Sequence, residues 1–301
     1  MHIFLSPVTV SEATLHMWLA LIPPQDESAV KRLRAELRER SDRVRVVFTD
    51  PVGPFVGFVV EVDPPGATIW PPRLRAGLDE TERQLALHKA AAYATETCKS
   101  NGLSYLECTL KGSTDIELAW RDAMLLEGFV LVARKCHYEC DEITDAHLRG
   151  DGLRPTVAEV DPNDERIGPL FAQTLEDSLD RSTVFEGRHG GWVGDADHIL
   201  IASNEGRETG ICTLEHKAGS TRGWIKYVGT VPAARRSGIA SELLAAGLRC
   251  LANNGAAVAE CLIDVENSPS ISLHDRFGFR ATGACGDSYY SSLTTPTLTP
   301  R

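Results

Sequence analysis

Hydrophobic and polar positions along the chain fall into two successions of the same kind. The first opens with helical spacing over residues 11–22 and 27–40, and Ser11 stands as an N-cap. Runs rich in β-branched residues at 44–49 and 55–62 predict two paired strands about a turn at 51–54. A short strand at 67–70 stops at Pro71-Pro72. Helical spacing over 78–100 ends at Asn101-Gly102, a C-cap pair. A strand at 103–110, a helix at 114–127 and a strand at 129–140 complete this half. The second succession predicts a strand at 153–158, helix within 164–179, and a hairpin of 198–202 with 209–216 about Asn204-Glu205-Gly206. A strand at 224–231, a helix at 241–253 stopping at Asn254-Gly255, a strand at 257–265, a helix at 268–277 and a strand at 279–282 follow, ahead of Tyr289-Tyr290.

The successions also share residues. Asn101-Gly102 matches Asn254-Gly255, Glu107-Cys108 falls at the same offset onto Glu260-Cys261, and Gly128-Phe129 matches Gly278-Phe279. The pattern predicts an α/β (α+β) chain of two tandem domains, 1–145 and 146–290. Each is expected to be a mixed, mostly antiparallel central sheet flanked by helices. Residues 141–152 read as a polar linker and 291–301, rich in Thr and Pro, as a flexible tail.

Charge narrows the partners. The net charge of −11 is spread over both halves, which argues against a nucleic-acid binder and fits a cationic partner such as an amine. With no apolar run of membrane-spanning length and no export signal, a cytoplasmic protein without a membrane partner is expected, as a monomer or homodimer. Free thiols are then expected at all eight cysteines, Cys98, Cys108, Cys136, Cys140, Cys212, Cys250, Cys261 and Cys285. Cys136-His137-Tyr138-Glu139-Cys140 holds metal-ligating residue types, but no second ligand pair stands at a zinc-like spacing. It reads as a strand, and no metal is expected.

Candidate chemistry concentrates in 224–246. A β-rich run ends at Pro232, the loop Arg235-Arg236-Ser237-Gly238-Ile239-Ala240 follows, and an apolar helix starts at once. Such a strand–loop–helix leaves main-chain N–H groups unpaired at the positive end of a helix dipole, a site for a phosphate or pyrophosphate. Arg235 and Arg236 would add charge-assisted contacts.

In these residues the chain resembles the GNAT acetyltransferase family. Thr230-Val231-Pro232 stands at its V-x-P strand end, and Arg235, Gly238 and Ala240 at the positions of its [RQ]-x-x-G-x-[GA] loop. Asn267 stands at its Asn, His274 at its usual Tyr, and Gly278-Phe279 at its Gly-Phe. Arg236 for a common Gly, and His274 for the Tyr, are departures. The resemblance covers 153–290 and implies an acetyl-CoA-dependent N-acetyltransferase acting on a small-molecule or peptide amine by direct transfer in a ternary complex. It also implies that Thr230 and Val231 pair with the pantetheine arm and supply an oxyanion donor. Main-chain N–H groups from Arg236 to Ser241 would hold the pyrophosphate, Asn267 would contact the pantetheine amides, and His274 would be the general acid for the leaving thiolate. Glu215, Asp264 and Glu266 are candidate bases, and Glu176, Asp177 and Asp180 would attract a cationic acceptor. In the first half, alignment by the repeat puts the loop at 82–87, without Gly and with Glu82, and sets Met124 opposite His274. That half reads as a degenerate copy. An inert acyl-CoA-binding or scaffolding protein, and acyl transfer to a hydroxyl or thiol, are the alternatives.

Overall fold

The structure, a computed structural model, describes residues 5–9, 44–49, 56–63, 66–74, 77–112, 114–143, 155–178, 193 and 196–293. The helices expected at 11–22 and 27–40 lie outside the described residues, as do most of the linker and 294–301.

The chain forms two compact units, residues 1–132 with 286–301, and residues 133–285. The first contains β1 (Leu5–Thr9), β2 (Val44–Thr49), β3 (Val56–Asp63), β4 (Gly66–Ile69), β5 (Arg73–Leu74), α1 (Glu80–Ser100), β6 (Tyr105–Leu110) and α2 (Asp115–Leu126). After β7 (Val130–Cys140) the second runs β8 (Thr156–Val160), α3 (Ile167–Leu175), β9 (His198–Asn204), β10 (Arg207–Glu215), β11 (Arg222–Thr230), α4 (Ile239–Asn253), β12 (Val258–Asp264), α5 (Ser268–Arg276) and β13 (Arg280–Ser292).

Strand order in the first unit is β1-β2-β3-β4-β6, closed by residues 287–292 of β13 antiparallel to β6. In the second it is β7-β12-β11-β10-β9-β8, with residues 135–140 of β7 antiparallel to β12. The units therefore divide at 132/133 and 285/286, where the sequence pattern had put one boundary at 145/146. Alternation along β7 buries Cys136, Tyr138 and Cys140 in the second core, while Tyr289 of β13 is buried in the first. The flexible tail expected from 291 is corrected at its start: Ser291 and Ser292 pair with Leu106 and Tyr105, and Ser291 is 6% exposed. The short strand expected at 279–282 is the beginning of β13.

Among the described residues each unit has a single parallel contact, and the two are alike. β4 meets β6 over 66–68 and 105–107, ending at Glu107. β11 meets β12 over 222–224 and 258–260, ending at Glu260. The helices repeat as well. Gly102 and Gly255, both at positive φ, stop α1 and α4, and Leu103 N–H and Ala256 N–H return to Cys98 O and Leu251 O at 3.1 and 3.0 Å. Phe129 N–H and Phe279 N–H reach Met124 O and His274 O at 3.1 Å in both units, and both phenylalanines are buried. The sequence repeat is thus a structural one. Two adjacent stripes of α1, Ala86, Ala90, Ala94 and Cys98 beside Leu87 and Ala91, are buried at helical spacing. In α4, Leu243, Leu244, Leu248 and Leu251 face Cys212, Leu214 and Ile225 of the sheet.

Cys136 and Cys285 are joined in a disulfide within the second unit, which corrects the expectation of eight free thiols. The other six cysteines form no disulfide. Among the described residues no helix is long and apolar enough to cross a membrane.

Candidate functional site

The site grows from the way β11 and β12 part. After Trp224 and Glu260 they no longer pair, and β11 continues to Thr230 while β12 continues to Asp264. On its other edge β11 stays paired with β10, where Thr213 faces Tyr227 and Leu214 faces Ile225. Lys226 is the extra residue of a β-bulge. Bulges re-aim main-chain groups and are frequent beside active sites. Val231 N–H donates to Thr209 O at 3.0 Å. By antiparallel alternation, the main-chain groups of Thr230 and Val228 then point away from β10, into the gap beside β12.

At the mouth of that gap lies the loop. Arg236 (φ 64°) and Gly238 (φ 84°) are both left-handed, with Ser237 between them at negative φ. This alternation turns successive N–H groups toward one concavity, an anion-binding nest. Gly238 is the N-cap of α4 and offers no side chain to fill it. Ser241 N–H and Glu242 N–H return to Gly238 O at 2.9 and 3.2 Å. Among the described residues none accepts from the N–H groups of 236–240. Five main-chain donors and a helix dipole therefore lie where the sequence placed a pyrophosphate site, with the Ser241 N–H taken by Gly238 O. The Ser241 hydroxyl instead accepts from Arg276 at 2.7 Å and ties α5 to the start of α4.

Arg235 is placed differently from expectation. Its guanidinium donates to Thr174 O at 3.3 Å, to Asp177 O and Thr230 O at 3.4 Å, and to Glu176 O. A cation among carbonyls at a helix C-terminus is favourable, and here it braces the loop against the end of α3. Tyr227 makes a second brace: its hydroxyl meets Thr174 Oγ1 at 3.0 Å and its ring stands edge-on to Phe171. Gly229 is required beneath it, since a Cβ there would lie 2.3 Å from the tyrosine oxygen. Glu176 and Asp177 end α3. Asp180 lies outside the described residues.

The candidate catalytic residues are each held by a near neighbour. His274 is 4% exposed and fills the core position that Met124 fills in the first unit. Its Nδ1–H donates to Ser270 O at 2.8 Å, and burial pushes the ring down to about 4. A neutral ring with its one proton on a backbone carbonyl has none to give a thiolate, so the general-acid expectation is corrected. Glu215 pairs across from Trp224 and is bridged to Lys226 at 3.6 Å. It sits five residues along β10 from Gly210, the partner of Thr230, or roughly 17 Å away. Asp264 is 3% exposed, and its Oδ1 accepts from Glu266 N–H at 3.0 Å, closing the turn into α5. Asn267 caps α5 by accepting from Ser270 N–H at 3.2 Å. Val231 N–H, committed to Thr209, is not an oxyanion donor.

A cluster that joins His137 and Glu139 to Glu260, a meeting the sequence does not announce, stands where the strands part. Glu260 accepts from Arg222 at 2.6 Å and lies 3.3 Å from His137 Nε2. Arg222 also binds Glu139, and the His137 ring stacks on Trp224 at 5.6 Å. Only the strand register brings these residues of β7, β11 and β12 together, so no local signal announced the cluster.

The α1 end has the opposite chemistry. Residues 82–87 are helix rather than loop. Asp79 accepts from Glu82 N–H at 2.8 Å and Glu82 from Asp79 N–H at 3.2 Å, a capping box that fills the helix end with carboxylates.

Residues 164–279 match the acetyltransferase (GNAT) family. Among curated relatives, a mycothiol acetyltransferase of Acidimicrobium ferrooxidans is 33% identical over 103 residues, 33% of this chain and 33% of that relative. One of Clavibacter sepedonicus is 33% identical over 89 residues, 30% of this chain and 29% of that relative. The chain thus spans about a third of the length of the curated relatives it matches. Among solved structures, a tandem GNAT protein from the clavulanic acid biosynthesis pathway superposes with a TM-score of 0.60 at 14% identity, covering 98% of this chain and 100% of that one. A GCN5-related N-acetyltransferase of Sphaerobacter thermophilus superposes at 0.59 and 12% identity, covering 96% of each. At such identities the likeness is one of fold.

Proposed function

From the premise that residues 164–279 belong to the acetyltransferase (GNAT) family, we propose that this chain transfers an acetyl group from acetyl-CoA to an amine of a small molecule or peptide. Transfer is direct, in a ternary complex, at one site in the second unit. The observation that carries the reading is the open nest at 236–240, five N–H groups at the positive end of α4, beside a strand edge with outward main-chain groups. A diphosphate suits the first and an extended arm of amides suits the second. The amine nitrogen attacks the thioester carbon, the carbon–sulfur bond breaks, the amine proton passes to a base, and the thiolate takes a proton from water.

No carboxylate is assigned as the base. Glu260 stands in the same Trp224 row as Glu215, well along β11 from Thr230, and its carboxylate is held by Arg222 and His137. Glu260→Gln should therefore leave kcat within about threefold of wild type in steady-state rates; a loss of roughly 100-fold, the usual weight of a positioned base, would place Glu260 in the chemistry.

The first unit carries no such site in this reading, because Asp79 and Glu82 occupy its helix end. Titration should give one coenzyme A per chain; two would overturn the assignment of a degenerate copy. The second reading, an inert acyl-CoA-binding or scaffolding protein, is favoured by the buried, neutral His274. Thiol release from acetyl-CoA across a panel of amines separates the two.

A further inference from the structure

Glu159 of β8, His198 of β9 and Cys250 of α4 each bring a potential ligand atom to within 4.8 Å of the others. The convergence follows from the fold. Glu159 pairs opposite Leu200, two residues along β9 from His198, so both side chains share the face of Leu200, which is buried against the α4 core. Cys250, just over one turn from the helix end at Asn254, meets them there. His198 Nδ1 and Glu159 Oε1 are 2.7 Å apart, and Asn254 Nδ2 donates to the sulfur at 3.8 Å. Glu159 is exposed while His198 and Cys250 are half-buried, leaving one side of the group open to solvent.

We propose that Glu159, His198 and Cys250 form a divalent-cation site of the zinc type, with its fourth position open to water. One sulfur, one nitrogen and one oxygen ligand suit a borderline-soft tetrahedral ion and disfavour magnesium and calcium, which take oxygen. As the ion binds, the exposed Glu159 side chain gives up its contact with His198 Nδ1 and rotates to draw the three atoms to tetrahedral spacing. On binding, the Cys250 S–H bond is replaced by a sulfur–metal bond and one proton is released; nothing is oxidised or reduced. The ion clamps the β8–β9 edge to the last turns of α4, the helix whose other end is the nest. The comparable group His137, Glu139 and Glu260 already holds the Arg222 guanidinium between its carboxylates and needs no second cation.

The test uses the full chain stripped of metal by a chelator. Cobalt(II) should give a near-ultraviolet thiolate-to-metal band and tetrahedral visible bands at one ion per chain, displaced by one equivalent of zinc. Zinc calorimetry in two buffers should report about one proton released. Cys250→Ser should abolish the thiolate band, and it and His198→Gln should each weaken zinc by at least ~100-fold, more than loss of an outer-shell partner costs. His137→Gln should leave both unchanged. If Cys250→Ser does not fold, alkylation mapping of the wild-type chain decides: zinc should protect Cys250 and no other free cysteine. Absence of the thiolate band, its survival in Cys250→Ser, its loss in His137→Gln, or alkylation of Cys250 unaffected by zinc would each overturn the site.

Discussion

Gly238→Asp should abolish measurable coenzyme A binding, while Gly238→Asn should weaken it only about tenfold. Both side chains are among the few that tolerate the left-handed backbone that Gly238 adopts at φ 84°, so strain is small and shared between the variants. They are nearly the same size and differ by one charge. A carboxylate roughly 5 Å from a diphosphate, at an effective dielectric of about 20, costs roughly 3 kcal/mol per unit charge, or about two decades in Kd. The aspartate also gives the second unit what Asp79 gives the first, an acid at the helix N-terminus. Calorimetry with coenzyme A measures both variants. Equal affinity for Asp and Asn would show that no anion is held at this helix end.

His274→Met should leave turnover within about threefold of wild type and remove an acid-sensitive part of the stability. The folded ring titrates at about 4 against an ordinary 6.5. Between those values the unfolded chain carries a proton that the folded chain refuses. Stability from this group is therefore full above pH 6.5, falls as pH drops through the window, and is gone below about 4. The shift corresponds to about 3 kcal/mol. Methionine, which occupies the equivalent position at Met124, has nothing to titrate. Urea midpoints at pH 7.5 and 4.5 should therefore converge in the variant relative to wild type. A large loss of turnover with the acid sensitivity intact would return His274 to the chemistry.

The features legible in the sequence were those with local causes. Gly238, Pro232 and the apolar run after them announced the strand–loop–helix, and the Asn-Gly pairs announced where α1 and α4 stop. The error at 82–87 has a local cause too. Asp79 and Glu82 have capping-box spacing, which starts a helix at 80, but alignment to the repeat pushed those residues into a loop. The Lys226 bulge leaves no mark in Trp224–Val228, where every residue suits a strand. The pinning of Arg235, the isolation of Glu215 and the Glu260 cluster depend on register between distant strands. His274 misled because a conspicuous residue type at a familiar motif position says nothing of burial, and the buried slot is visible only through its Met124 counterpart.

The placement of residues 287–292 against β6 bears on how this protein is made. While the chain is being synthesised, β6 waits without this neighbour until residues 287–292 have been translated. An open strand edge invites mispairing with other nascent chains. A gene cut in the middle would leave that edge bare for good, so expression of the first half alone should yield aggregates unless the closing hexapeptide is grafted back by circular permutation.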